Sequence, residues 1–265
     1  NPLFSRVIVN RIWHHHFGRG LVKKPSDFGA GGGRPSHPEL LDWLADCFQQ
    51  NNYSLKSLHR LIVTSMTYRQ SSASRPDALG RDRDNRLLWR FAPKRLEGEA
   101  VRDSLLQAAG MLNTQQSGPS YEDVKEIHFN AGRYYHPIEV KGPKFDRRTI
   151  YRFSPRGERD AILDTFDCPD PSATAPTRAV TTTPLQALSL SNNVFVWRMA
   201  DGLANRVQKE AGEALFGQVR RAWLLSLGRD PDETERSQAT AMIAKHGLPS
   251  LCRALFNSSE FVVIE

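Results

Sequence analysis

With 265 residues, 39% of them apolar, the chain can bury a real core and fits one or two domains of about 150 residues, which excludes a disulfide-stapled miniprotein. No apolar run approaches the roughly 18 residues that a membrane-spanning helix needs. Thirty-six Lys and Arg stand against 29 Asp and Glu, a net charge of +7 that suits phosphate, sulfate or acidic polymers without choosing among them.

Asn1-Pro2 reads as a helix cap followed by a first-turn proline, and Leu3, Phe4, Val7, Ile8, Ile12, Trp13 and Phe17 recur at helical spacing up to Gly18. A start at Asn1, with no charged and then apolar leader, reads as a piece cut from something longer, its targeting signal out of view. Six glycines and two prolines make residues 18–36 a loop. Ser36 and Glu39 form a capping-box pattern that opens a second helix with Leu40, Leu41, Leu44, Cys47 and Phe48 on one face, where Cys47 reads as a buried small hydrophobe. Ser54 caps a third helix carrying Leu55, Leu58, Leu61, Ile62 and Met66, and the three helices suggest a small bundle.

Residues 71–85 read as a polar connector, and a fourth helix spans roughly Arg95 to Leu112. From Asn113 to Arg156 repeated Gly and Pro break the chain, while Tyr134, Tyr135, Ile138, Val140 and the run Ile150 to Phe153 favour short strands, so the expectation is a loop-rich insert with one small hairpin. Thr183-Pro184-Leu185-Gln186 opens another helix, followed by helices near 193–210, 216–227, 231–246 and 248–256; the tail after Asn257 is ordered only if it docks. The fold class is mainly α, a multi-helix bundle with a loop-rich central insert, divided as 1–112, 113–182 and 183–265, the last part packed with the first as one domain.

Chemistry is sparse. Cys47, Cys168 and Cys252 are odd in number and far apart, forming neither a metal-type Cys-x-x-Cys pair nor a haem-attachment motif, so no metal and no cofactor is assigned to this segment. His14-His15-His16 cannot all face one ion from one helix; they read as a helix C-terminus complementing its dipole, with the alternative that one joins His37 or His59 in a site. Asp164, Asp167 and Asp170 could gather around a cation, yet the flanking prolines favour turns and caps, with Arg148 or Arg178 as the nearest basic partner. Thr174 to Arg178 runs close to a sulfatase nucleophile pattern but has Thr at the decisive position. From Arg133 to Asp160 eight bases meet four acids, a local excess of four that reads as a solvated face.

A set of strings in combination is more specific. Val9-Asn10-Arg11-Ile12-Trp13, Phe17-Gly18-Arg19-Gly20-Leu21-Val22, Ser36-His37-Pro38-Glu39-Leu40-Leu41-Asp42-Trp43-Leu44, Thr165-Phe166-Asp167, Pro169-Asp170-Pro171 and Thr181-Thr182-Thr183-Pro184-Leu185-Gln186 resemble the C-terminal domain of unknown function of large planctomycete cytochrome-c-type proteins. The resemblance implies export to the periplasm or cell surface, upstream domains of the same polypeptide as partners, and a haem, where the parent has one, upstream of Asn1. It supplies no activity and no catalytic residues.

The leading expectation is therefore a helical module that scaffolds or docks within a multidomain exported protein. The candidate pocket or loop-anchoring set is Arg148, Tyr151, Asp164, Asp167, Asp170, Arg178, Thr182 and Gln186, where charge of both signs meets a helix N-terminus. One alternative is an enzyme or binding domain for acidic or sulfated polysaccharide using Asp164 or Asp167 as acid or base. A second is nucleic-acid binding through the basic insert with Tyr134 and Tyr135, against which an exported setting argues.

Overall fold

The structure, a computed structural model, describes residues 1–130 and 132–265, the side chain of Pro2 excepted, so the first-turn role expected of that proline ring lies outside the described residues. The fold is mainly α: among the described residues there are twelve helices and only short strands. None of these helices is long and apolar enough to cross a membrane. Residues 1–94 with 264–265 make one compact unit and residues 95–263 a second.

In the first unit α1 (Pro2–Phe17) starts where the Asn1 side chain accepts the Leu3 N–H and stops at Gly18, whose left-handed φ of 74° lets its N–H return to the His14 carbonyl. Helix α2 (Pro38–Gln50) begins one residue later than the capping-box pattern suggests. Its N-cap is His37, with no side-chain cap, and the Ser36 hydroxyl pairs with His37 Nδ1 instead. Ser54 does cap α3 (Leu55–Val63), which ends before Met66, so that side chain is 88% exposed rather than part of the apolar face. Cys47 is half-buried, at the margin of the face of α2 that buries Leu41, Leu44 and Phe48. The connector holds a short helix, α4 (Pro76–Arg81), opened by its proline.

The core of this unit joins Val9 and Trp13 of α1 to Leu41, Leu44 and Phe48 of α2, to Leu58 and Ile62 of α3, and to Leu21 and Val22 of the glycine-rich loop. What holds that loop is Asn10. Fully buried, it donates Nδ2 to the Val22 carbonyl at 3.0 Å and accepts the Val22 N–H at 2.8 Å. The approach leaves no room at Gly20, where a Cβ would stand 2.5 Å from the Val22 carbonyl oxygen and 2.8 Å from the Asn10 side chain.

The second unit opens with α5 (Gly98–Ala108), shorter than the expected 95–112 because Gly110 at φ 70° turns the chain. An antiparallel hairpin follows, Val124–Phe129 paired with Gly132–Pro137, in register Ile127 opposite Tyr134. After the short α6 (Ala161–Thr165) come α7 (Pro184–Asn192), with the expected Thr183 and Gln186 capping box, and α8 (Val194–Ala211). Then come α9 (Leu215–Ser226), α10 (Glu233–His246), α11 (Leu248–Phe256) and α12 (Ser259–Val262). Helix α8 is the centre: Val196, Met199, Leu203 and Val207 are sealed among Val101 and Leu105 of α5, Val219 and Ala222 of α9, and Leu251 and Phe256 of α11. The tail docks through Phe261, buried with its ring 4.9 Å from that of Phe256.

Because Asn10 satisfies both backbone groups of a buried residue, Asn10→Ala strands a donor and an acceptor; urea unfolding is expected to show a loss of about 1–3 kcal/mol.

Candidate functional site

The segment from Arg148 to Gln186 is built around the end of α6. Asp160 caps that helix, accepting the N–H groups of Ile162 and Leu163, and Asp167 closes it in the left-handed region, φ 61°. This turn aims the Asp167 carboxylate at three donors: the Thr181 N–H at 2.8 Å, the Thr181 hydroxyl at 2.9 Å and the Arg95 guanidinium. Gln186 completes the ring from the first turn of α7, donating Nε2 to the Thr165 carbonyl at 3.0 Å and to the Thr181 hydroxyl at 3.3 Å while its Oε1 accepts the Thr183 N–H. Desolvation disfavours the charged form of Asp167, but the hydrogen bonds from Thr181 and the Arg95 charge outweigh it, and the carboxyl lies below its ordinary range.

Each remaining member of the expected set has its own place. Asp164 and Asp170 share one exposed guanidinium, that of Arg159, at 2.9 and 3.2 Å. Arg178 reaches back to α5, donating to Glu99 at 2.7 Å with Glu97 at 3.4 Å. Cys168 donates its thiol to the same Glu99 at 3.6 Å; burial first, then the Glu99 charge, pushes it up to about 11, so it stays protonated. Arg148 pairs with Asp103 at 3.2 Å, and the Tyr151 hydroxyl accepts the Ser117 N–H while its ring lies 4.1 Å from the Arg147 guanidinium. Thr182 is exposed. The structure thus brings together Asp167 with Gln186, and Asp164 with Asp170. The basic partners of the aspartates are Arg95 and Arg159, not Arg148 or Arg178 as the sequence spacing suggests, because the turn at Asp167 faces the start of α5 and Arg159 stands just before α6.

Residues that sequence reasoning passed over hold the insert together. The Arg152 side chain, 4% exposed, donates Nε to Asp123 at 2.8 Å and Nη2 to Glu158 at 3.1 Å, with Glu158 itself 3% exposed. Arg102, also buried, donates to the carbonyls of Arg147 and Phe145 and to the Thr149 hydroxyl. Arg147 donates to the carbonyls of Pro119, Gln115 and Ser117, and Arg198 grips Asp146 through both terminal nitrogens at 2.7 and 3.0 Å. These side chains surround a cavity of about 160 Å³ lined by Arg102, Asp123, Phe145, Arg152, Phe195 and Arg198. Of the eight bases between Arg133 and Asp160, Arg147 and Arg152 are turned inward, while Arg133, Lys141, Lys144, Arg148, Arg156 and Arg159 stay on the exposed face that the sequence suggests. The signal was available in part: Asp103 and Asp123 precede the basic run in sequence and Asp146 lies within it.

In the first unit, His16 meets His59, Nε2 to Nδ1 at 2.8 Å, with Tyr68 edge-on to His16. His37 is engaged with Ser36. Among the described residues no group of three or more His, Cys, Asp or Glu is placed to hold a metal. Burial first, then the proximity of His59, Lys94 and His15, holds His16 below its ordinary value, so it sits neutral in the pair.

A match to a family model described as PSD1, protein of unknown function (DUF1553), covers residues 1–243. No curated protein and no solved structure matches the chain.

Two outcomes follow from the geometry. Arg152→Met leaves the Glu158 and Asp123 carboxylates buried without their cation and is expected to cost about 3–5 kcal/mol in urea unfolding, with Glu158→Gln in the same chain recovering part of the loss. For His16 the unfolded chain binds the proton more tightly than the folded one, so its contribution is intact above about pH 6.5 and is lost as pH falls through the lower folded value; His16→Gln is expected to flatten the decline in unfolding midpoint over that window.

Proposed function

The chain belongs to the PSD1 family of proteins of unknown function, and from that premise we propose that it is a non-catalytic helical module that scaffolds or docks within a larger polypeptide. One observation carries this reading: the groups best suited to acid, base or electrophilic work between Arg148 and Gln186 are consumed by internal partners. Asp167 accepts from three donors, Asp164 and Asp170 divide one guanidinium, and Arg178 is committed to Glu99. A general acid near neutrality needs its pKa raised, whereas Asp167 and Asp170 are both held below the carboxylate range, Asp170 chiefly by hydrogen bonds from Ser172. These residues anchor the long segment between α6 and α7 against α5.

The exported, haem-associated setting rests on the sequence resemblance, with upstream domains of the same polypeptide as the partners docked. Hydrolysis of an acidic polysaccharide through Asp164 or Asp167 is disfavoured by the same ion pairing. Nucleic-acid binding through the insert is disfavoured because Arg147, Arg148 and Arg152 are turned onto carbonyls and carboxylates.

The test incubates the chain with a sulfated polysaccharide and assays new reducing ends. None is expected from the wild type, and Asp164→Asn and Asp167→Asn are expected to change melting temperature alone; wild-type turnover that either substitution abolishes overturns the reading.

A further inference from the structure

The net positive charge is not spread over the chain. Residues 1–94 with 264–265 carry fifteen Lys and Arg against eight Asp and Glu, an excess of seven, while residues 95–263 carry twenty-one of each. The whole +7 therefore belongs to the first unit. Pairing follows the same division: among the described residues the first unit holds one ion pair, Arg6 with Asp42, whereas the second matches arginines such as Arg152, Arg178, Arg198 and Arg229 to carboxylates.

The excess gathers between Arg69 and Lys94, where six arginines and one lysine meet three aspartates, and among the described residues none of the seven forms an ion pair. Asp82 uses its carboxylate on the backbone, accepting the N–H groups of Arg86 at 3.0 Å and Leu87 at 2.7 Å, and so shapes a tight turn. Trp89 is tied to that turn, its indole N–H donating to the Asp82 carbonyl at 2.9 Å, and the guanidiniums of Arg75 and Arg90 lie over its ring at 5.6 and 4.9 Å. Arg19 and Arg86 line one cleft beside it. Arg81 and Arg83 are exposed on the same stretch.

We propose that this arginine-rich turn is a binding surface for a sulfated polysaccharide. A guanidinium presents a planar fork of donors that matches the oxygens of a sulfate ester, and unpaired, exposed cations gain most when a polyanion exchanges its counterions for them. The surface is ill suited to nucleic acid. Trp89 already carries two guanidiniums, so it holds arginines in place instead of offering a face to a base. The sole helix within the stretch, α4, spans six residues, too short to read a major groove. A flexible chain with repeated strong oxyanions asks for neither feature. This surface does not rest on the scaffold reading, whose supporting observation lies in the second unit.

The experiment measures binding of the whole chain to heparin at rising sodium chloride. The variant Arg81→Glu with Arg83→Glu and Arg86→Glu is compared with a charge-matched control in the second unit, Lys125→Glu with Lys209→Glu and Lys245→Glu; all six side chains are exposed. Heparin affinity is expected to fall about tenfold or more in the first variant, with a shallower salt slope, and to stay within about twofold in the control. The corresponding Arg→Gln triple, which adds no repulsion, reads the same contrast should the reversal disturb folding. Equal loss in test and control, or no heparin binding by the wild type at low salt, overturns the proposal. So does single-stranded or duplex DNA bound as tightly as heparin and lost in the same variant, which reassigns the surface to nucleic acid.

Discussion

A guanidinium withdrawn from water needs acceptors for its charge and its donors, and the irregular part of the second unit is organised around supplying them. Arg147 and Arg152 are buried in a stretch with little regular structure of its own and Arg102 faces it from α5, and each is met by carbonyls or carboxylates from chain segments far from it in sequence. The carbonyls of Gln115, Ser117, Pro119, Phe145 and Arg147, all outside helices and strands, receive hydrogen bonds from these side chains. The loop-rich region is thus ordered by a polar network in place of an apolar core. Such a network tolerates partial removal poorly, since losing the cation leaves buried anions behind.

The helical layers obey a simpler rule. α5, α8, α9 and α11 bury aliphatic faces against one another, and several helix starts in the unit are marked by residues that satisfy orphan backbone groups: Thr183 with Gln186 at α7, Asn193 at α8, Asp232 with Glu235 at α10. These ends were legible because a cap is a local device, decided within four residues. Where the pattern misled, a neighbour outcompeted it. Ser36 has the spacing of a capping box, but its N–H is drawn to the Leu21 carbonyl and its hydroxyl to His37, so α2 begins at Pro38. Helix α4 and α6 went unseen because five or six residues leave no period to read.

The candidate site was legible in membership and not in pairing. Asp164, Asp167, Asp170, Arg178 and Gln186 all carry polar interactions that fix the path from α6 to α7, as a segment rich in turn-forming and charged residues should. Which cation meets which carboxylate depends on the left-handed residue at Asp167 and on where α5 passes, and neither is written in spacing along the chain. The partners lie as far away as Arg95 for Asp167 and Glu99 for Arg178.

Charge counting met the same boundary from the other side. The stretch from Arg133 to Asp160 and the stretch from Arg69 to Lys94 each carry an excess of four positive charges, and nothing in that number tells them apart. Their pairing differs. In the first, Arg147 and Arg152 are buried against carbonyls and against Asp123 and Glu158, while the exposed Arg148 and Arg159 pair with Asp103, Asp164 and Asp170. In the second the aspartates are few, Asp82 is taken up by backbone amides, and the arginines stack on Trp89 or stand in solvent. Arg75 and Arg90 do donate to the Trp89 and Ser72 carbonyls, but a carbonyl leaves the cation's charge uncancelled. A positive charge stays open to a partner where the fold has supplied no carboxylate for it, and the complement of carboxylates is a property of the whole unit, not of the local run of residues.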